Sequence, residues 1–323
     1  MSLDSDVIVD RRRIRRKLTF WRVTAALVAI AAVVAVGLMS TRSALSTSGS
    51  IARINIEGLI RSDQQRVEAL ERLEKSSAAA VIVHINSPGG TTSGSEQLYD
   101  SLMRLKAKKP LVVVVDGLCA SGGYIAALAS DHIVAQQSAL VGSIGVLFQY
   151  PNFTELLKTI GVQVEAVKSS PLKAAPSGYE PTSPEARAAL DALVKDSYAW
   201  FRDLVRTRRG MDAVELDKVA DGRVFTGRQA VALKLIDQLG DEKNAVAWLV
   251  AEKKVKADLP VKDYKLSPRF GDLTFLRTAA SLTLNALGLE GLARQIERAG
   301  VVQAVDRLSL DGMIAVWHPA TSD

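Results

Sequence analysis

Leu111-Val112-Val113-Val114-Val115-Asp116-Gly117-Leu118-Cys119-Ala120-Ser121-Gly122-Gly123 is the stretch that decides the fold. Its opening leucine and four valines form a β-branched run suited to a strand buried on both faces. Small residues and a glycine pair follow, then a short helix candidate, Tyr124 to Ala129. The pattern is strand, tight turn, helix. Such a turn can present a serine at the end of a strand, beside the donor N–H groups of a helix N-terminus. The mechanics match the nucleophile elbow G-x-S-x-G, although Cys119 stands where its first glycine would be.

The same alternation extends to either side. Ile51 to Ile56 and Ala80 to Ile85 read as strands, and Asp63 to Lys75 and Ser93 to Ala107 as amphipathic helices. His132 to Ala135, Val141 to Phe148 and Val162 to Val167 are further strand candidates, with Asn152 opening a helix to Ile160. From Pro184 the pattern turns helical: Pro184 to Arg209, Ala213 to Ala220, Thr226 to Lys234 and Glu242 to Lys254. This repeated order predicts an α/β fold, a mainly parallel sheet with helices on both faces. A second glycine pair, Gly89-Gly90, ends the strand candidate before Leu111. Two such turns on adjacent strand ends could aim two backbone N–H groups at one oxyanion. They could equally be ordinary βα turns.

Few residues are available as a general base. The three histidines, His84, His132 and His318, show no metal-ligand spacing, and each reads as structural. No metal or cofactor is expected. One cysteine, Cys119, excludes an internal disulfide framework. A lysine can act as base where burial disfavours its ammonium form. Lys173, 52 residues after Ser121 in an irregular segment, is a candidate, although an isolated lysine is more often a solvated surface group.

Charge is concentrated at the N-terminal end. Residues 1–22 hold seven bases against three acids, and the other 301 residues hold 34 bases and 32 acids. The overall +6 is therefore no evidence for nucleic acid, and no nucleic-acid partner is expected. Val23 to Met39 follows the basic cluster as 17 uncharged residues. As a helix it would cover about 25 Å, enough to span a bilayer with help from its flanks. The positive-inside pattern predicts a cytoplasmic tail and an exported remainder. A cleaved signal peptide and a buried soluble helix are the competing readings. An uncleaved anchor fits better, because the apolar run is long and the small-residue cleavage site is poor.

Four motifs carry a resemblance: Ile85-Asn86-Ser87-Pro88-Gly89-Gly90, Ala120-Ser121-Gly122-Gly123-Tyr124, Gly142-Ser143-Ile144-Gly145-Val146 and Phe225-Thr226-Gly227. In order and spacing the chain resembles signal peptide peptidase A in its short form. These are membrane-anchored Ser–Lys serine proteases of the ClpP/crotonase superfamily. The resemblance covers roughly residues 51–249 and the anchor, and it implies a ClpP/crotonase-like sheet-and-helix core. It implies Ser121 as nucleophile, Lys173 as general base, and Ser143 as the group that orients the lysine. Backbone N–H groups of Gly90 and Gly122 would form the oxyanion hole. Val146 stands near where Clp protease carries its histidine, which favours the Ser–Lys version.

The resemblance also implies residual signal peptides and similar apolar peptides as substrates, the lipid bilayer as a partner through the anchor, and a homo-oligomer with shared active sites. An apolar groove near Val141 to Phe148 is expected to take substrate by strand addition. The implied organisation is a basic tail (1–22), an anchor (23–41), a linker (42–50), a protease domain (51–254) and a region of unknown role (255–323). Within that last region Phe275 to Leu289 is an apolar helix candidate. One departure is Lys234, which replaces the family's helix-ending glycine. The alternatives are crotonase-like acyl-CoA chemistry, disfavoured by the export signal, and a catalytically silent membrane scaffold.

Overall fold

A computed structural model describes residues 49–266 and the strand 314–316. The expected anchor, His318 and the helix candidate 275–289 lie outside the described residues. Among the described residues no helix is long and apolar enough to cross a membrane.

The chain begins as expected, with βα units. β1 (Ile51–Ile60), α1 (Gln64–Glu74), β2 (Ala80–Thr91), α2 (Thr92–Lys106), β3 (Leu111–Ala120), α3 (Gly122–Ala127) and β4 (His132–Ala135) follow in order. The β1, β2, β3 and β4 ladders are all parallel. β5 (Leu140–Gly142) pairs with the distal end of β3, and β6 (Val224–Thr226) pairs antiparallel with β5. Between them lie α4 (Thr154–Thr159), the long α5 (Pro184–Arg209) and α6 (Ala213–Asp217). After β6 come α7 (Gly227–Ala232), β7 (Gln238–Leu239), α8 (Glu242–Lys253) and β8 (Val261–Asp263). β9 (Ile314–Val316) completes a nine-stranded sheet.

Alternate residues of the central strands divide between two cores, as the period of two requires. Ala52, Ile54, Val81, Val83, Val113 and Val115 face the larger core, with Leu70, Leu98, Leu102, Tyr124 and Phe201 from the helices. Ile51, Ile82, Val112, Val114 and Val134 face Ala245 and Leu249 of α8. Helices therefore cover both faces. The α/β unit continues past residue 254, because β8 pairs with β1 and Tyr264 N–H donates to the Arg53 carbonyl.

Helix ends follow local chemistry. Asp63 caps α1 through the Arg66 N–H, and Ser183 caps α5 ahead of Pro184, which needs no hydrogen-bond partner at the first helical position. Gly210, at φ +62°, ends α5 in the left-handed conformation.

Two expectations change. Residues 162–167 form no strand; they run irregular, with Val162, Val164 and Val167 exposed, because no neighbouring strand pairs with them. The alternating stretch from Val141 forms regular strand only to Gly142, where Ser143 turns the chain at φ +52°. Both edges of β5 are taken, by β3 and β6, so substrate cannot add to residues 140–142.

Candidate active site

The site is built where β2 and β3 stop running together. β3 pairs with β2 regularly from Leu111 to Val115, then carries two extra residues before Cys119 meets Ser87. The bulge falls at Asp116-Gly117, both exposed, and re-aims the strand. The half of β3 before the bulge pairs with β4 and the half after it with β5, so the sheet forks. Gly90 lies three residues past Ser87, and Gly122 three past Cys119. Parallel pairing therefore brings the two glycine turns to the same end of neighbouring strands.

Ser121 occupies the turn itself. Its φ of 54° and ψ of −118° place a non-glycine residue where side chains are disfavoured. Such strain persists only where surrounding structure imposes it. Here the Ser121 N–H donates to the Gly142 carbonyl at 2.7 Å, and its carbonyl accepts from the Ile125 N–H at 3.0 Å. The residue is 1% exposed, and α3 starts immediately after it. Gly122 is thus the first residue of a helix, a position whose N–H has no partner within the helix.

Close packing fixes the glycines. A Cβ on Gly90 would lie 1.7 Å from the Ile60 carbonyl oxygen, and one on Gly123 would lie 2.9 Å from the Ser87 carbonyl oxygen. Ser87 is buried and braces the first turn: its Oγ donates to the Gly58 carbonyl at 2.7 Å and accepts from the Gly89 N–H at 3.1 Å. Gly89 itself sits at φ +105°. Behind the elbow, Tyr124 Oη donates to the Leu235 carbonyl at 2.7 Å, tying α3 to the turn after α7. Burial holds the tyrosine hydroxyl in its neutral form and pushes the Cys119 thiol far above its ordinary value. Cys119 is thereby removed as a competing nucleophile.

Ser143 is also buried and held at positive φ, with its N–H on the Arg223 carbonyl at 2.8 Å. It opens onto a cavity of about 340 Å³ whose lining includes Ile144, Val146, Leu147, Tyr198 and Asp221. Lys173 is placed differently. It lies in an exposed turn, residues 171–174, with its N–H on the Ser170 carbonyl. Among the described residues no hydrogen bond joins its ammonium to Ser121 or Ser143 within one chain. Ser121 and Gly122 sit in one turn, at the same end of the sheet as the Gly89-Gly90 turn of the neighbouring strand; Lys173 makes no hydrogen bond to Ser121 or Ser143 in the single chain.

The two described histidines, His84 and His132, are structural, as expected. His84 on β2 bridges Asp116 and Glu242, each at 2.9 Å, and Arg53 also holds Glu242. His132 stacks on Trp248 at 4.6 Å. Three features escaped the sequence reading: the Tyr124 tie, the Arg53–Glu242–His84–Asp116 network and β9. The network was readable only as isolated charges. β9 left no more signal than the apolar triplet Ile314-Ala315-Val316.

With this geometry in view, similarity to known proteins becomes informative. The model of peptidase family S49 matches residues 103–256, and that of Clp protease matches residues 52–140. Ser121 lies in both matches, Ser143 and Lys173 in the first. A Synechocystis protein named as a protease is 38% identical over 205 residues, covering 63% of this chain and 74% of that one. A protein named as signal peptide peptidase SppA from Enterococcus faecium is 32% identical, with 68% of this chain and 66% of that one covered. Protease 4 of Haemophilus influenzae is 30% identical, covering 67% of this chain but only 37% of its own length. The chain thus spans little more than a third of that relative.

Proposed function

Because the chain belongs to peptidase family S49, the SppA-like serine proteases of the ClpP superfamily, we propose that Ser121 is its nucleophile and Lys173 its general base. The observation that carries this reading is the strained, buried turn at Ser121, set beside the Gly89-Gly90 turn of the neighbouring strand. In the proposed reaction neutral Lys173 takes the Ser121 hydroxyl proton as Oγ bonds to the scissile carbonyl carbon. The Gly90 and Gly122 N–H groups stabilise the oxyanion. The lysine ammonium then protonates the leaving amine as the C–N bond breaks. Water, deprotonated by the lysine, attacks the ester, and Ser121 recovers its proton as the acid leaves.

A lysine serves as base only where its ammonium is desolvated. Lys173 is exposed in the single chain, and this supports a site completed by the lysine of an adjacent subunit in a homo-oligomer. Ser143 would receive that ammonium and orient it. The proposed substrates are residual signal peptides and similar apolar peptides. The proposed setting is the exported face of a bacterial inner membrane, with residues 23–41 as the anchor and residues 1–22 in the cytoplasm. A reporter fused before residue 11 or after residue 323 tests the topology; a cytoplasmic distal end would overturn it.

Hydrolysis of a quenched apolar peptide by the full chain in detergent tests the chemistry. Ser121→Ala and Lys173→Ala are each expected to lower kcat about 10³-fold or more. Ser143→Ala should lower it less and shift the pH profile. Full activity in either of the first two variants would end the assignment.

A further inference from the structure

We propose that the end of the sheet where its parallel strands begin is a basic surface that docks on anionic lipid headgroups. The inference rests on the proposed membrane anchor. Register sets the strand starts level: Ile51 of β1 lies opposite Ala80 of β2 and Val261 of β8, Val81 opposite Leu111 of β3, and Val112 opposite His132 of β4. β7 runs parallel to β4 as well. Each helix that returns to one of these strands therefore ends at this level. Counted from the last residue of the helix to the residue before its strand, the connections are 74–79, 106–110, 127–131, 232–237 and 253–260. Together they hold eight lysines against four acids, a net +4. Residues 49–266 as a whole hold 28 bases against 26 acids, which leaves 20 bases and 22 acids, a net −2, everywhere else. Positive charge is thus sorted to one end of a nearly neutral domain.

Two of the four acids are committed inward. Asp131 accepts from the Leu111 N–H at 3.0 Å and pairs with Lys253 at 3.3 Å; Asp237 accepts from the Ile133 N–H at 2.7 Å and pairs with Arg209 at 2.8 Å. Some of the lysines serve carbonyls at helix ends, as Lys106 does at Ser130 and Lys109 at Ser76. Lys75, Lys108 and Lys256 do not. They are exposed, and among the described residues their ammonium groups meet neither a carbonyl nor a carboxylate. An anionic bilayer accounts for them, since each lysine beside it strengthens attachment about 5-fold. The chain also enters the sheet at this end: the Ser50 carbonyl accepts from the Ala79 N–H at 2.9 Å, and the Ile51 N–H donates to the Pro260 carbonyl at 3.0 Å. On the proposed reading residues 42–50 tie that entry to the anchor, a reach of about 30 Å at most. The tether therefore presents this end to the headgroups, which singles out lipid over nucleic acid as the occupant. β3 runs ten residues from the basic end to the Ser121 turn, so docking holds that turn at a set height, at most about 30 Å above the lipid.

The test uses the full chain in lipid nanodiscs. Cys119 is buried with its thiol held protonated, so a cysteine at exposed Ala257 takes a fluorophore alone. Discs of phosphatidylcholine, or of an equal mixture with phosphatidylglycerol, carry a quencher on a fraction of the headgroups. Quenching at Ala257→Cys is expected to rise at least about 5-fold in the anionic discs. Quenching at Gln64→Cys, at the opposite end of the sheet, should not change. Combining Lys75→Gln, Lys108→Gln and Lys256→Gln should return the Ala257 signal to its neutral-disc value. So should salt at about 1 M, where charges are screened beyond about 3 Å. Equal quenching in the two compositions, or a signal that the triple substitution leaves alone, would overturn the proposal. Release of the docked face by single-stranded RNA, but not by salt-matched buffer, would overturn it in favour of nucleic acid. The anchor is scored separately, as salt-resistant association with neutral discs. A chain that ignores neutral discs yet binds anionic ones through these three lysines would uphold the basic face and overturn the anchor.

Discussion

At the scale of single residues, the elbow is held by backbone that disfavours its own side chain. Ser121 stands at φ +54°, a conformation costing of order 1–3 kcal/mol for a residue with a Cβ. Ser121→Gly relieves that strain, whereas Ser121→Ala keeps it. Thermal or chemical unfolding should therefore find the glycine variant more stable than the alanine variant by about 1 kcal/mol. Equal stabilities would mean that the turn is not strained. Gly90 presents the opposite problem, since any Cβ there meets the Ile60 carbonyl oxygen. Gly90→Ala is expected to destabilise by about 2–3 kcal/mol through forced backbone movement. Gly58 makes a matched control, because it has positive φ but nothing within 4 Å of the place a Cβ would take. Its alanine variant should lose only about 1 kcal/mol.

At the scale of elements, α7 and α8 show how sequence departures are absorbed. α7 ends with the Lys234 N–H on the Val231 carbonyl and the Leu235 N–H on the Ala230 carbonyl, which puts Lys234 in the left-handed position at φ +59°. Lys234→Gly should stabilise by up to about 1 kcal/mol, offset in part by loss of the exposed pair with Glu215. α8 is fastened to the sheet through Glu242. Its hydrogen bonds from Arg53, then from His84, hold its carboxyl below the ordinary value despite partial burial. A carboxylate depressed in the fold contributes stability above its unfolded pKa and loses it as pH falls through the folded value. Glu242→Gln should therefore cost about 1 kcal/mol at neutral pH, with the gap to the parent closing in acid unfolding series. The boundaries of these helices were legible because caps and apolar spacing are local. The tail of β3 and the whole of β9 were not. Whether Leu118–Ala120 or Ile314–Val316 forms strand depends on a partner edge distant in sequence, and Val162–Val167 has strand composition but no such edge. In the same way, Ser121 and the glycines could be read from a local turn. No local signal says which surface Lys173 meets.

At the scale of the whole molecule, the segment carrying Lys173 exposes a run of apolar side chains. Leu156, Ile160, Val162, Val164, Val167 and Leu172 are all exposed, from 45% upward, within a single stretch. Contiguous apolar exposure of this kind marks an association surface. On the proposed reading the stretch packs against a second copy and delivers Lys173 to the partner's Ser121 turn. The consequence is quantitative. On that reading neither the Ser121→Ala nor the Lys173→Ala protein should show appreciable activity alone. In randomly mixed closed rings, a site works when an intact serine faces an intact lysine from its neighbour, and this holds at about one site in four. Mixing the two variants in equal amounts, with subunit exchange, should therefore restore about a quarter of parental activity. Val164→Asp, placed in the apolar stretch but outside the chemistry, should shift sedimentation toward smaller species and lower activity most at low protein concentration. No recovery on mixing, with exchange verified by tagged subunits, would mean that serine and lysine meet within one chain. The exposed stretch would then have to fold inward to bring them together.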